Sequence, residues 1–219
     1  MRTTALGIAP LLLALLLCSC GSDRQTGADG QAVFIWGKSG DAVKLDPADI
    51  SDGESVMVTS NIFDTLVTFK RGSTELRPWL AESWETSADG KVWTFKLRKD
   101  VKFHDGSDFN ADAVVFSFDR QMDPDHPARR PDTEFGTFRA QLGALESVEK
   151  VDEHTVRFQL SQPVGFFDSL LAMYCCGIIS PTAYASEGKG EDGRYRYDMA
   201  TRPVGTGPFR FVAWKKDEY

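Results

Sequence analysis

The sequence predicts an α/β fold of the mixed α+β kind, in which antiparallel hairpins lie beside helices and some parallel strands. Two pairs of β-rich runs, at 83–98 and 145–160, each surround a short polar turn. A helix-like apolar stripe follows the first pair, with Asn110 at its start as an N-cap. Hairpins joined to helices in this way are typical of α+β domains.

The first hairpin carries the stronger signal. Its turn contains Asp89-Gly90, a favoured pair between two strands. In the run after that turn Trp93, Phe95 and Leu97 alternate with polar residues, which predicts one buried face.

The elements before and after the hairpins are predicted from shorter patterns. The run at 32–37 is expected to be a first buried strand, and residues 65–69 a further strand after helix-like spacing. Residues 164–174 are expected to form a helix, and 211–219 a strand in which the chain stops without a cap or turn. That ending favours an incomplete chain.

The first 19 residues are predicted to be a lipoprotein signal peptide. Arg2 gives a basic start, and the following Leu-rich run is too short to span a bilayer. Leu17-Cys18-Ser19-Cys20 resembles a bacterial lipobox, so Cys20 is expected to become the lipidated N-terminus. A plain secretion signal is the alternative. Residues 20–32 are polar and Gly-rich, as in a flexible tether.

The net charge and the cysteine and histidine content limit the binding partners, cofactors and metals to be expected. The chain has 25 basic and 32 acidic residues, and loss of Arg2 with the signal leaves 24 − 32 = −8, which argues against a nucleic-acid partner. Only Cys175 and Cys176 then remain as thiols. They are expected to be buried on a core strand, with pairing to a cysteine elsewhere in a longer chain as the alternative. No cofactor is expected, and the histidines lack metal-ligand spacing.

His104 directly precedes Asp105, the order of a general base and its orienting carboxylate. No nucleophile motif accompanies the pair. The Asp-Gly that follows favours a turn in which Asp105 bonds nearby backbone while His104 covers the hairpin edge. We therefore predict no catalytic residues and no enzyme activity.

Three stretches in one order resemble a known family. They are NIFDTLV at 61–67, LAESWETSADGKVWTFKLRKDVKFHDGSDFNADAVVFSFDR at 80–120 and PVGTGPFRFVAW at 203–214. Together they are similar to the bacterial extracellular solute-binding proteins of family 5, the peptide-, dipeptide- and nickel-binding components of ABC importers. The resemblance runs from about Val33 to the last residue.

This resemblance implies a two-lobed fold of the type II periplasmic-binding-protein kind, of which the chain covers the first lobe. Residues 33–68 would start that lobe, 69–190 would form its inserted subdomain, and 191–219 would be an incomplete return to it. The second lobe would lie outside this sequence.

Two loops, at 50–55 and 204–208, are the candidate ligand-binding segments. Glycine permits close approach of a ligand to the backbone, and Ser51 falls where a small hydroxyl residue follows the first strand in dipeptide binders. Turn geometry alone is the alternative for both loops. The candidate residues are Ser51, Asp52, Gly53, Glu54, Gly205, Thr206 and Gly207.

The function implied is capture of short peptides, outside the cytoplasmic membrane, by a lipid-anchored monomer that delivers them to importer permease subunits. Its location would be the periplasm or the outer surface of that membrane. Alternatives are the same fold binding a nickel chelate or an oligosaccharide, and a lipoprotein with a chaperone or interaction role. An exported hydrolase would need a nucleophile or metal set that this stretch lacks.

Overall fold

The computed structural model describes residues 33–216, so the predicted signal peptide and tether lie outside the described residues. The described residues fall into two units, 33–37 and 38–216. In the first, residues 33–37 form no strand, and the Phe34 side chain is 78% exposed. The expected strand at 32–37 is therefore wrong for these residues. A strand has no internal hydrogen bonds and forms only when a neighbouring backbone pairs with it.

The second unit contains short helices and two antiparallel sheets. The helices are α1 (Gly53–Thr59), α2 (Ala111–Met122), α3 (Gly136–Gln141), α4 (Phe167–Leu170) and α5 (Pro181–Ser186), with a 3-10 helix at Tyr174–Cys176. The strands are β1 (Val67–Phe69), β2 (Leu76–Pro78), β3 (Ala81–Thr86), β4 (Val92–Leu97), β5 (Leu145–Asp152) and β6 (Thr155–Leu160).

The larger sheet confirms both predicted hairpins. Its strand order is β3-β4-β6-β5, and all neighbouring pairs are antiparallel. Gly90 adopts a positive φ of 69° in the first turn, a conformation that glycine adopts without steric cost. A smaller sheet joins β1 to β2.

Aromatic side chains form the core between the larger sheet and α2. Phe158 lies at the centre, with its ring centroid 5.4 Å from Phe95, 5.0 Å from Phe118 and 5.6 Å from Phe167. All four rings are buried. The predicted N-cap of α2 is confirmed, since the Asn110 side chain accepts a hydrogen bond from the backbone N–H of Ala113.

Three further local predictions are wrong. The helix expected at 164–174 is limited to the single turn of α4, and residues 211–216, the described part of the strand expected at 211–219, form no strand. Cys175 and Cys176 are buried free thiols, but they lie in the 3-10 helix and not on a strand. Cys175 and Cys176 are buried without a strand partner, so burial alone does not fix the conformation, whereas Phe209 and Val212 are exposed.

Candidate functional site

The first candidate loop leads into α1. The Asp52 carboxylate caps this helix by accepting a hydrogen bond from the N–H of Ser55 at 2.8 Å, and Gly53 is the first helical residue. Burial acts to raise the pKa of Asp52, but the hydrogen bonds from Ser55 outweigh it and hold this pKa below its usual value. Hydrogen bonds from Ser39 and Lys38 lower the pKa of Glu54. The acidic side chains thus fix this loop.

Ser51 is the candidate residue of this loop that borders a cavity. It is exposed, and its hydroxyl has no hydrogen-bond partner within residues 33–216. It borders a cavity of about 290 Å³, here called the Ser51 cavity. The other lining residues are Lys44, Ala48, Asp49, Ile50, Asp132, Glu134, Phe135, Gly136 and Thr137.

Phe135 gives the Ser51 cavity a strained wall. Its φ of 48° places a non-glycine residue in the left-handed region, and its side chain is buried. Surrounding packing holds this conformation, because the guanidinium groups of Arg120 and Arg129 lie 5.3 Å and 4.9 Å from the ring centroid. Backbone strain of this kind is typical of functional sites.

The second candidate loop is a turn at 204–208, here called the 204–208 turn, which packs directly on backbone. A Cβ atom at Gly205 would lie 2.1 Å from the carbonyl oxygen of Ile62, and one at Gly207 would lie 2.7 Å from that of Asn61. The N–H of Gly207 donates to the Ile62 oxygen at 2.9 Å. The glycines are therefore needed for packing, whether or not a ligand also contacts them.

Thr206 connects this turn to a second cavity. Its hydroxyl donates to Asp64 Oδ2 at 2.8 Å, while the indole N–H of Trp79 donates to Asp64 Oδ1 at 2.7 Å. Asp64 and Trp79 border a cavity of about 270 Å³, here called the Asp64 cavity. The other lining residues are Thr59, Ser60, Phe63, Thr65, Thr68, Ala172, Tyr174 and Pro208.

One side-chain pair links the two cavities. The hydroxyls of Thr137, which borders the Ser51 cavity, and Tyr174, which borders the Asp64 cavity, are 2.9 Å apart. Each candidate loop therefore contributes to one of two neighbouring cavities. The ligand role of the seven candidate residues stays a prediction.

Sequence reasoning missed four residues that shape these cavities. Asp64 lies within the family-like stretch at 61–67, and Trp79 directly precedes the one at 80–120, so the resemblance could have pointed to both. Tyr174 and Phe135 had no such signal, since neither a long-range hydroxyl contact nor a positive φ at phenylalanine is visible in a local pattern.

His104 and Asp105 do not form a base and its orienting partner. The imidazole Nε2 donates to the carbonyl oxygen of Gly207 at 2.8 Å, and the Asp105 carboxylate accepts from the hydroxyls of Ser107 and Ser180. Asp105 also accepts the backbone N–H of Ser107, as the turn prediction required. His104 lies against the 204–208 turn, so the expectation that it covers the hairpin edge is wrong.

The environment of Cys176 holds its thiol in the protonated form. A hydrogen bond with Cys175 and complete burial raise the pKa of Cys176, so this thiol stays protonated. Within residues 33–216 there is no group of three or more His, Cys, Asp or Glu side chains placed to hold a metal ion. The same residues include no helix with the length and apolar character that crossing a membrane requires.

Solved structures identify the class of protein. The periplasmic binding protein DppA from Helicobacter pylori, in complex with the peptide STSA, matches with a TM-score of 0.75 and 40% identity over 82% of this chain. HbpA2 from Haemophilus parasuis matches with a TM-score of 0.70 and 38% identity over 80%. The fold is that of the type II periplasmic binding proteins, with this chain covering part of the first lobe.

The family follows from the sequence comparisons. Residues 75–219 match the family model "Bacterial extracellular solute-binding proteins, family 5 Middle". The chain is 39% identical to Heme-binding protein A of Haemophilus influenzae over 99% of its own length, and 39% identical to Di/tripeptide-binding protein 1 of Pseudomonas aeruginosa over 84%. The chain belongs to the family 5 solute-binding proteins.

The chain spans only part of these relatives. It covers 42% of the Haemophilus influenzae protein, 36% of the Pseudomonas aeruginosa protein and 36% of the Helicobacter pylori structure.

Proposed function

We propose that this chain is the first-lobe part of a lipid-anchored substrate-binding protein that captures short peptides for an ABC importer. The observation that carries the proposal is the arrangement of the two candidate loops. Ser51 borders one cavity, and the 204–208 turn is bonded to Asp64 beside the other. Two neighbouring cavities with polar edges suit a ligand that has a polar backbone and side chains on either side.

Backbone groups of the 204–208 turn support a peptide ligand. The N–H groups of Gly205 and Thr206 have no hydrogen-bond partner within residues 33–216. Gly205 is already buried, whereas Thr206 is half-buried. Once a second lobe excludes water from the turn, the Thr206 N–H would need an acceptor, because a buried donor without a partner is costly. A peptide carbonyl oxygen supplies such an acceptor. Relatives named as di- and tripeptide-binding proteins support the same ligand class.

The proposed location is the periplasm or the outer surface of the cytoplasmic membrane. Acylation of Cys20 after cleavage at Ser19 would hold the protein there, since two or more acyl chains anchor stably while one does not. Mass spectrometry of the mature N-terminus tests this step. An unmodified N-terminus that begins at another residue contradicts it.

Binding without catalysis is the activity proposed. The candidate base contacts a backbone carbonyl, and the buried thiol of Cys176 is held protonated. A monomer that closes on its ligand and then meets the permease subunits needs no resident cofactor.

Calorimetric titration of the complete two-lobed protein with a library of di- and tripeptides tests the ligand. We expect binding by the wild type and weaker binding by Ser51→Ala. Ser83→Ala is the matched control, because Ser83 is also exposed and its hydroxyl has no hydrogen-bond partner in the described part of the chain, but it lies on β3 and lines neither cavity. Equal affinities for the two variants would remove Ser51 from the site.

Residues 33–219 alone should show no binding in the same titration. A single lobe leaves the ligand largely in water and lacks the partners of its charged termini, and loss of one buried charge partner costs about 2–5 kcal/mol. Circular dichroism of this fragment must show that it is folded. Micromolar binding by a folded fragment would contradict the proposed division between the lobes.

Haem is the second candidate ligand, because the relative that aligns with 99% of this chain is named a heme-binding protein. A haem absorbance shift on titration, together with no response to peptides, would replace the peptide assignment and keep the family.

A further inference from the structure

The 204–208 turn is held from two sides. On one side the backbone of Ile62 approaches Gly205 and accepts the N–H of Gly207, and Asp64 accepts the Thr206 hydroxyl. On the other side lies His104. Because these contacts surround the turn, its position depends on both neighbours.

His104 binds the turn at two carbonyl groups. Its backbone N–H donates to the oxygen of Gly205 at 2.9 Å, and its Nε2 lies 2.8 Å from the oxygen of Gly207. A carbonyl oxygen only accepts, so the ring proton is on Nε2. The Nδ1 atom is buried and has no hydrogen-bond partner within residues 33–216. One residue therefore spans the turn through two hydrogen bonds.

The loop that carries His104 is itself fixed. Gly106 adopts a positive φ of 86°, which closes the local turn. Asp105 accepts hydrogen bonds from Ser107 at 2.6 Å and from Ser180 at 2.5 Å. Ser180 also caps α5 and donates its backbone N–H to the oxygen of Val204 at 3.3 Å. His104 is thus anchored to the inserted subdomain while it contacts the returning chain.

We propose that His104 is a positioning residue that sets the 204–208 turn for ligand binding. It bonds the carbonyl oxygens of Gly205 and Gly207, and so holds the half-buried Thr206 between them, whose N–H group has no partner within residues 33–216 and is the donor offered to an acceptor on the ligand. This inference rests on the proposed function, because it assigns His104 an effect on the same ligand site.

The test compares His104→Phe with His154→Phe in the complete protein. Both histidines are half-buried and have a buried Nδ1 without a partner in residues 33–216, but only His104 bonds to the turn. Phenylalanine keeps a ring and removes the donor. His104→Gln restores a donor and serves as the rescue variant.

Hydrogen exchange of the Gly207 and Phe209 amides is the direct measurement, since these groups donate to Ile62 and Asn61. Loss of one net hydrogen bond predicts about fivefold faster exchange there in His104→Phe, with a similar loss of peptide affinity. His154→Phe should match the wild type at these amides, and His104→Gln should recover most of the protection.

Each outcome separates the inference from the proposed function. Unchanged exchange at the turn in His104→Phe overturns the inference. Faster exchange with unchanged peptide affinity would show that His104 holds the turn but does not affect ligand binding, which overturns the proposed positioning role. A wild-type protein that binds no peptide counts against the proposed function, while the exchange comparison still decides whether His104 holds the turn. Faster exchange throughout the protein would show a general loss of stability and also overturn the inference.

Discussion

A buried ion pair joins Asp46, which precedes α1, to Arg120 in α2, and its removal gives the sharpest stability prediction. Arg120 donates to both carboxylate oxygens of Asp46, at 2.6 Å and 2.8 Å, and to the Tyr184 hydroxyl at 2.8 Å. Arg120 is 1% exposed and Asp46 is 5% exposed. The substitution Asp46→Asn keeps the volume and removes the negative charge.

The expected loss of folding free energy is large because the Arg120 charge stays buried without its partner. Burial acts to lower the pKa of Arg120, but Asp46 and Tyr184 outweigh it and raise this pKa, so the guanidinium stays ionised in the folded protein. Removing one partner of a buried pair typically costs about 3–5 kcal/mol. Asp46→Asn with Arg120→Met should be less destabilised than Asp46→Asn alone, since the unpaired charge is then absent.

Urea denaturation of the complete protein measures the difference in free energy of unfolding. Asp108→Asn is the control, because the Lys102–Asp108 pair is exposed, with side-chain exposures of 60% and 66%. An exposed pair contributes about 0–1 kcal/mol. The reasoning is refuted if Asp46→Asn costs no more than Asp108→Asn, or if the double variant is the least stable of the set.

Three other perturbations follow from local geometry. Gly205→Ala should destabilise by about 1–3 kcal/mol, because its Cβ would overlap backbone, while Gly165→Ala, with nothing within 4 Å, should change urea stability little. Cys176 should resist alkylation until urea unfolds the protein, since its thiol is buried, and rapid native labelling would contradict this. Burial lowers the pKa of His126, so the unfolded chain binds a proton at this residue more readily than the folded protein does. As the pH decreases below about 6.5, the free energy of unfolding should therefore decrease, and the decrease should be smaller in His126→Gln.

The sequence by itself determined the elements whose signals are local. Asn110 caps α2 through its own side chain, and Gly90 allows the tight hairpin turn, so neither depends on distant residues. The alternating sequence of β4 likewise determined which of its side chains are buried, because a strand places successive side chains on opposite faces. The family assignment rests equally on contiguous stretches of the chain.

The tertiary structure decided which residues meet. Thr206 reaches Asp64 across 142 positions, and Thr137 reaches Tyr174 across 37, so no periodic pattern reveals either cavity. His104 shows the same limit, since its neighbour in sequence suggested a proton-transfer pair while its partner in space is the carbonyl of Gly207. The sequence specifies the chemistry of each side chain, but the function of a side chain depends on the group that folding places within hydrogen-bond distance.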